Sequence, residues 1–68
     1  MTDKRKLADA IFQMNRRGGY ILAFSTRVAV ENPELTWDEY HHLLTQNGTY
    51  CGYHPDVIRR NFEMGRAA

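Results

Sequence analysis

Thr36–Gly48, TWDEYHHLLTQNG, decides the fold class of this 68-residue chain. Thr36 is an N-cap residue type, and Glu39 three positions on completes a T-x-x-E capping box. Asp38 and Glu39 put negative charge in the first turn, where the helix dipole favours it. Trp37, Tyr40, Leu43 and Leu44 recur at helical spacing and make one apolar stripe. Asn47-Gly48 supplies the stop, since glycine takes the left-handed C′ conformation without strain. A short amphipathic helix with both ends marked is the unit from which a small all-α domain is built.

Working outward, Asp3 to Arg17 predicts a first helix. Thr2 or Asp3 caps it, Leu7, Ile11 and Met14 form its buried stripe with Ala8 and Ala10 beside them, and Gly18-Gly19 ends it. Phe12 falls off that stripe. Residues 20–31 admit two readings. As a helix they place Ile21, Phe24 and Val28 on one face, with Pro33 beyond the end. As a β-hairpin, Tyr20–Phe24 and Val28–Val30 would be strands about Ser25-Thr26-Arg27, a turn without the Gly, Asn or Asp that positive φ requires. Helix is favoured; the hairpin would make the fold α+β. Leu35, at N′ of the third helix, is placed to staple onto Tyr40 or His41. After Gly48 comes a loop bearing Tyr50, Cys51, Tyr53 and His54. Pro55 then suits the first position of a last helix, with Asp56 in its first turn and Val57, Ile58 and Phe62 on its apolar side. Residues 65–68 read as a frayed tail. The expectation is one domain over 1–68, an all-α bundle of about four short helices.

The composition is that of a folded globular chain, 43% hydrophobic and 25% charged. A domain of this length buries only about 60% of its unfolded surface, which leaves little room for an enclosed substrate pocket. One cysteine excludes an internal disulfide, so the expected compartment is a reducing cytoplasm. No signal peptide and no membrane span are read from the pattern. Asn47-Gly48-Thr49 matches a glycosylation sequon but is better read as a helix C-cap. The net charge of +1 is low for a dedicated nucleic-acid binder. Acids gather at Glu31, Glu34, Asp38 and Glu39. Basic residues gather at Lys4-Arg5-Lys6, Arg16-Arg17, Arg27, Arg59-Arg60 and Arg66.

Three constellations bear on function. His41, His42, Cys51 and His54 include a Cys-x-x-His half-site of zinc type. Adjacent His41 and His42 diverge by about 100° on a helix, so the other half fails. No metal or cofactor is therefore expected. The same Cys51–His54 pair, with Asp56 to orient the imidazole, lacks the oxyanion apparatus of a thiol enzyme, and the chain is read as non-enzymatic. The third and fourth helices resemble a helix-turn-helix in outline, with Arg59, Arg60 and Asn61 of the types that read base edges. Against that stand the long 48–54 connection and the acidic start of the third helix.

The favoured function is a small regulator that binds and modulates a protein partner, of the inhibitor or antirepressor type common among short phage and mobile-element proteins. Its expected surface is Tyr50, Tyr53, Arg59 and Arg60, flanked by Glu34, Asp38 and Glu39, because tyrosine and arginine dominate interface hot spots. The alternative is a DNA-binding transcriptional regulator using Arg59, Arg60 and Asn61. A homodimer is compatible with the marginal core, though no heptad run specifies one.

Overall fold

Both arms of the capping box at Thr36 are formed. The Glu39 backbone N–H donates to the Thr36 hydroxyl at 3.2 Å, and the Glu39 carboxylate accepts from the Thr36 N–H at 3.1 Å. The computed structural model describes residues 3–47 and 52–67. These form four helices, α1 (Lys4–Arg16), α2 (Ile21–Glu31), α3 (Trp37–Asn47) and α4 (Pro55–Ala67), with no strand among the described residues. Residues 20–31 thus resolve as the helix. No helix among them is long and apolar enough to cross a membrane.

Asp3 caps α1, accepting from the N–H groups of Arg5 and Lys6 at 3.0 and 3.2 Å. Gly18, at φ 68°, turns the chain after Arg17, a conformation that glycine alone takes freely. Asn47 is the last residue of α3 and closes it by donating from its amide to the Leu43 carbonyl at 2.9 Å. Gly48, expected as the C′ residue, lies outside the described residues. Pro55 opens α4 as expected, and the His54 imidazole acts as cap, its Nδ1 accepting from the Asp56 N–H at 3.1 Å.

The helices associate as two pairs. α2 packs most extensively on α4, and α1 on α3. Contacts at both ends show that α2 and α4 run parallel. Tyr20 and Tyr53 touch where the two helices begin, and Arg66, near the end of α4, reaches the carbonyls of Asn32, Pro33 and Leu35 just beyond the end of α2. Small residues line the seam between them. The Thr26 hydroxyl donates to the Asn61 carbonyl at 3.1 Å, and a Cβ placed on Gly65 would lie 2.3 Å from the Thr26 carbonyl oxygen. Only glycine permits this approach. Residues 65–67 of the segment expected as a frayed tail are helical, and Ala68 lies outside the described residues. α4 continues through Ala67, Gly65 is buried against α2, and Arg66 is tied to the α2–α3 connection. Burial and hydrogen bonding hold this segment in place despite its position near the chain end.

The core joins all four helices. Ile11, Ile21, Tyr40, Leu44 and Ile58 are fully buried, and Leu35, the expected staple, is also inside. Tyr40 stacks on Phe62 with centroids 5.1 Å apart, and Trp37 approaches both rings. The Tyr40 hydroxyl meets Ser25 Oγ at 2.7 Å in the interior, while Ser25 donates back to the Ile21 carbonyl. This satisfies a buried polar residue in α2 and ties α2 to α3. The radius of gyration, 10.6 Å, matches the roughly 11 Å expected of a single domain of this length.

Candidate functional site

Large apolar side chains that a small domain leaves in water are the first indication of a binding surface, because each forgoes burial at about 25 cal/mol per Å². Among the described residues they are Phe12, Tyr20, Val30, Tyr53 and Met64. Two of them meet. Tyr20, 60% exposed, and Tyr53, 37% exposed, make an edge-to-face pair with centroids 6.2 Å apart and planes at 75°. This is a favoured aromatic geometry. Their position follows from the chain. Gly18-Gly19 breaks α1 and sets Tyr20 as N-cap of α2, and Gly52, at φ 84°, turns the chain into Tyr53 just before α4. The parallel packing of α2 and α4 then brings the two helix starts side by side.

Beside the pair lies a shallow depression of about 350 Å³ lined by Met14, Tyr20, Ala23, Phe24 and Arg27. Arg27 sits with its guanidinium carbon 5.8 Å from the Phe24 ring centroid, a cation–π distance. It also approaches Glu31 one turn on, at 3.8 Å, with both side chains largely exposed.

The residues expected from sequence to form one binding surface go to different neighbours. Tyr53 joins Tyr20. Arg59 donates from Nε to the Glu63 carboxylate at 3.0 Å and lies 5.9 Å from the Trp37 ring centroid, while Arg60 is exposed beside it. Glu34 lines a second depression of about 300 Å³ with Trp37, Phe62 and Arg66. Asp38 and Glu39 line a third, of about 310 Å³, with Lys4, His42 and Leu43. Tyr50 lies outside the described residues.

Glu39 is a structural hub. Its carboxylate meets the Lys4 ammonium at 2.7 Å, joining α1 to α3. The hydrogen bond from Lys4, then those from the Thr36 backbone and hydroxyl, hold its acid constant down at about 2. A carboxylate committed to a cap and an ion pair has little left to offer a partner.

For the DNA alternative, Asn61 is half-buried at the α2–α4 seam. Its amide donates to the Val57 carbonyl at 2.9 Å, while its backbone carbonyl accepts from Thr26. Arg59 and Arg60 remain outward, in the company of Asp56 and Glu63 on the exposed side of α4. Among the zinc-type residues, His41 stacks on Trp37 at 5.3 Å and His54 caps α4. Cys51 lies outside the described residues. Among the described residues no group of three or more His, Cys, Asp or Glu is gathered as a metal site would need.

Sequence reasoning missed Tyr20 and Arg27 as surface candidates. A tyrosine immediately after Gly18-Gly19 was the available signal, because a residue at a helix N-cap stands outside the apolar stripe. Comparison with known proteins finds no match among family models, curated proteins or solved structures.

Proposed function

We propose that this chain is a small non-enzymatic regulator that binds a protein partner through the Tyr20–Tyr53 end of the α2–α4 pair. The observation that carries this reading is the edge-to-face tyrosine pair standing in solvent over the Arg27-lined depression. Tyrosine and arginine bring large contact area, a polar tip and few rotors, and they are the commonest residues at interface hot spots. The depressions described above are open and shallow, so a chain of this kind acts by covering part of another molecule. Modulation by occlusion, as an inhibitor or antirepressor, is the form this takes, in the cytoplasm that the lone cysteine suggests.

Protein is favoured over DNA on two counts. Asn61 is engaged at the helix seam, and Glu63 and Asp56 share the exposed side of α4 with the two arginines that phosphate would need.

The test is affinity capture with the tagged chain in the cell that produces it, with and without nuclease. The expected result is a protein recovered in both arms by the wild type and lost by the Tyr20→Ala/Tyr53→Ala variant. Recovery of nucleic acid alone, abolished by nuclease and falling steeply with salt, would favour the DNA reading instead.

A further inference from the structure

The first helix carries a charge that the rest of the chain does not share. Residues 3–17 hold five cations, Lys4, Arg5, Lys6, Arg16 and Arg17, against two acids, Asp3 and Asp9. The remaining sequence holds four cations against six acids, so the net +1 is a basic α1 set on an acidic remainder. Two of the α1 charges are engaged within the molecule. Asp3 caps the helix, and Lys4 meets Glu39. The other four cations are exposed, and none of them forms an ion pair among the described residues. Helical register gathers them. Arg5, Asp9, Phe12 and Arg16 recur at i, i+4, i+7 and i+11, within about 60° of one another round the axis, on the side opposite the buried Leu7, Ile11 and Met14. Lys6 and Arg17, the latter a C-cap with right-handed helical φ, flank that stripe. Arg5-Lys6 and Arg16-Arg17 thus stand at the two ends of one face, about 16 Å apart along the axis. Phe12, 49% exposed, lies between them, and Asp9 is the one acid of this face.

We infer that this outer face of α1 docks an acidic segment of a protein partner, with carboxylates on Arg5-Lys6 at one end and Arg16-Arg17 at the other, an apolar side chain on Phe12, and no acid opposite Asp9. Four exposed cations against one acid select an anionic occupant by charge complementarity. Phe12 asks that occupant for an apolar group, because a phenylalanine half in water gains by being covered. Asp9 then discriminates among anions. A nucleic-acid backbone or an anionic lipid surface presents negative charge along its whole length, and so sets it against Asp9 one turn from Phe12. A polypeptide carries its carboxylates at discrete positions and can leave the middle of the face to an apolar residue. This inference rests on the protein-binding reading above for the class of partner, and adds to the Tyr20–Tyr53 contact a second surface with its own chemistry.

The experiment titrates the full-length chain into two fluorescent helical peptides of identical composition and reads anisotropy. In the first, glutamate pairs stand about eleven residues apart with a leucine midway, matching the spacing on α1. In the second, the same glutamates are bunched about the leucine. The first is expected to bind the wild type about tenfold more tightly than the second, equal to about 1.4 kcal/mol. Its affinity falls as salt shortens the Debye length below about 10 Å. Arg5→Gln/Arg16→Gln weakens it by about tenfold, since two exposed charge pairs are lost. Phe12→Ala weakens it too, and Asp9→Asn narrows the gap between the two peptides. Arg27→Gln/Arg60→Gln, the same change in net charge on α2 and α4, leaves it unchanged. Failure of both peptides to bind, equal binding of the two, or equal weakening by Arg27→Gln/Arg60→Gln would overturn the inference. So would tighter binding of duplex DNA or phosphatidylserine vesicles than of the first peptide, or a dimer of the chain that covers Phe12. The comparison of the two peptides is made on the wild type, so it stands whether or not any variant folds. If cellular capture still depends on Tyr20 and Tyr53 while the peptides are not told apart, the protein-binding reading survives and only the α1 contact is lost.

Discussion

Replacing Gly65 with alanine tests the seam that sets the position of everything near Tyr20 and Tyr53. The added Cβ would lie 2.3 Å from the Thr26 carbonyl oxygen, 3.0 Å from the Ala29 Cβ and 3.1 Å from the Thr26 carbonyl carbon. Two of these three atoms are backbone, so no side-chain rotation relieves the contact. α4 must retreat by about 1 Å, and a gap of that size forfeits up to about half of each dispersion contact along the seam. The Thr26–Asn61 hydrogen bond, now 3.1 Å, stretches with it. Overpacking of this kind costs about 1–3 kcal/mol, and the rigid neighbours place it in the upper part of that range. Alanine returns at most about 1 kcal/mol of helix propensity, and less at a position so near the end of α4. The net loss is about 1–2 kcal/mol, a fall in Tm of about 4–16 °C for a domain of this size. Thermal and urea unfolding followed by far-UV circular dichroism measures it, with the exposed Met64→Ala as a control expected within about 0.5 kcal/mol of wild type. An unchanged or raised Tm for Gly65→Ala would refute the reasoning, because it would mean that the end of α4 is not seated on α2.

Further outcomes follow from the same packing. Phe62→Ala removes the ring stacked on Tyr40 and is expected to cost about 3–5 kcal/mol, enough to unfold a domain this small, as read by loss of cooperative melting. Arg66→Ala frees the carbonyls of Asn32, Pro33 and Leu35 and is expected to cost about 1–2 kcal/mol in urea melts, with lysine recovering only part because it lacks the guanidinium fork. The Glu39 carboxyl is lowered from 4.5 to about 2 in the folded chain, so its stabilising contribution is complete above pH 4.5 and is lost as pH falls toward 2. Glu39→Gln is expected to flatten that part of the stability–pH curve, and an unaltered curve would show that the Lys4 and Thr36 contacts do not persist in solution. Tyr20→Ala is expected to lower Tm by only a few degrees, since the side chain is largely exposed, makes no capping bond and loses only the edge contact with Tyr53, about 1 kcal/mol or less, which leaves a folded chain for a test of binding.

Local signals in the sequence carried much of this fold. The capping box, Asp3 as N-cap and Pro55 at the start of α4 were each legible, because each depends on residues within one turn. The helix over 21–31 was legible only as a preference. Its β-branched and aromatic residues suit strands by propensity, and Ser25 and Thr26 stood in the turn of the hairpin reading; what seats these two in a helix is their hydroxyls. Each bonds back to the carbonyl four residues earlier and also reaches another helix, Tyr40 in one case and Asn61 in the other. The parallel pairing of α2 with α4 joins residues more than thirty positions apart and leaves no local trace. It is the reason Gly65 reads as a terminator in sequence and serves as a contact in the fold. The candidate surface was legible in part. Tyr53 was identified by type, whereas Tyr20 was counted with the apolar segment it precedes. Its exposure depends on where α4 begins, a tertiary fact.

The most direct measurement is site-specific photocrosslinking in the producing cell, with a photoreactive phenylalanine analogue at position 20 and, in parallel, at the exposed position 46 on α3. The account predicts a nuclease-resistant protein adduct from position 20 and none from position 46. An adduct that nuclease removes, or one formed equally from both positions, would contradict it.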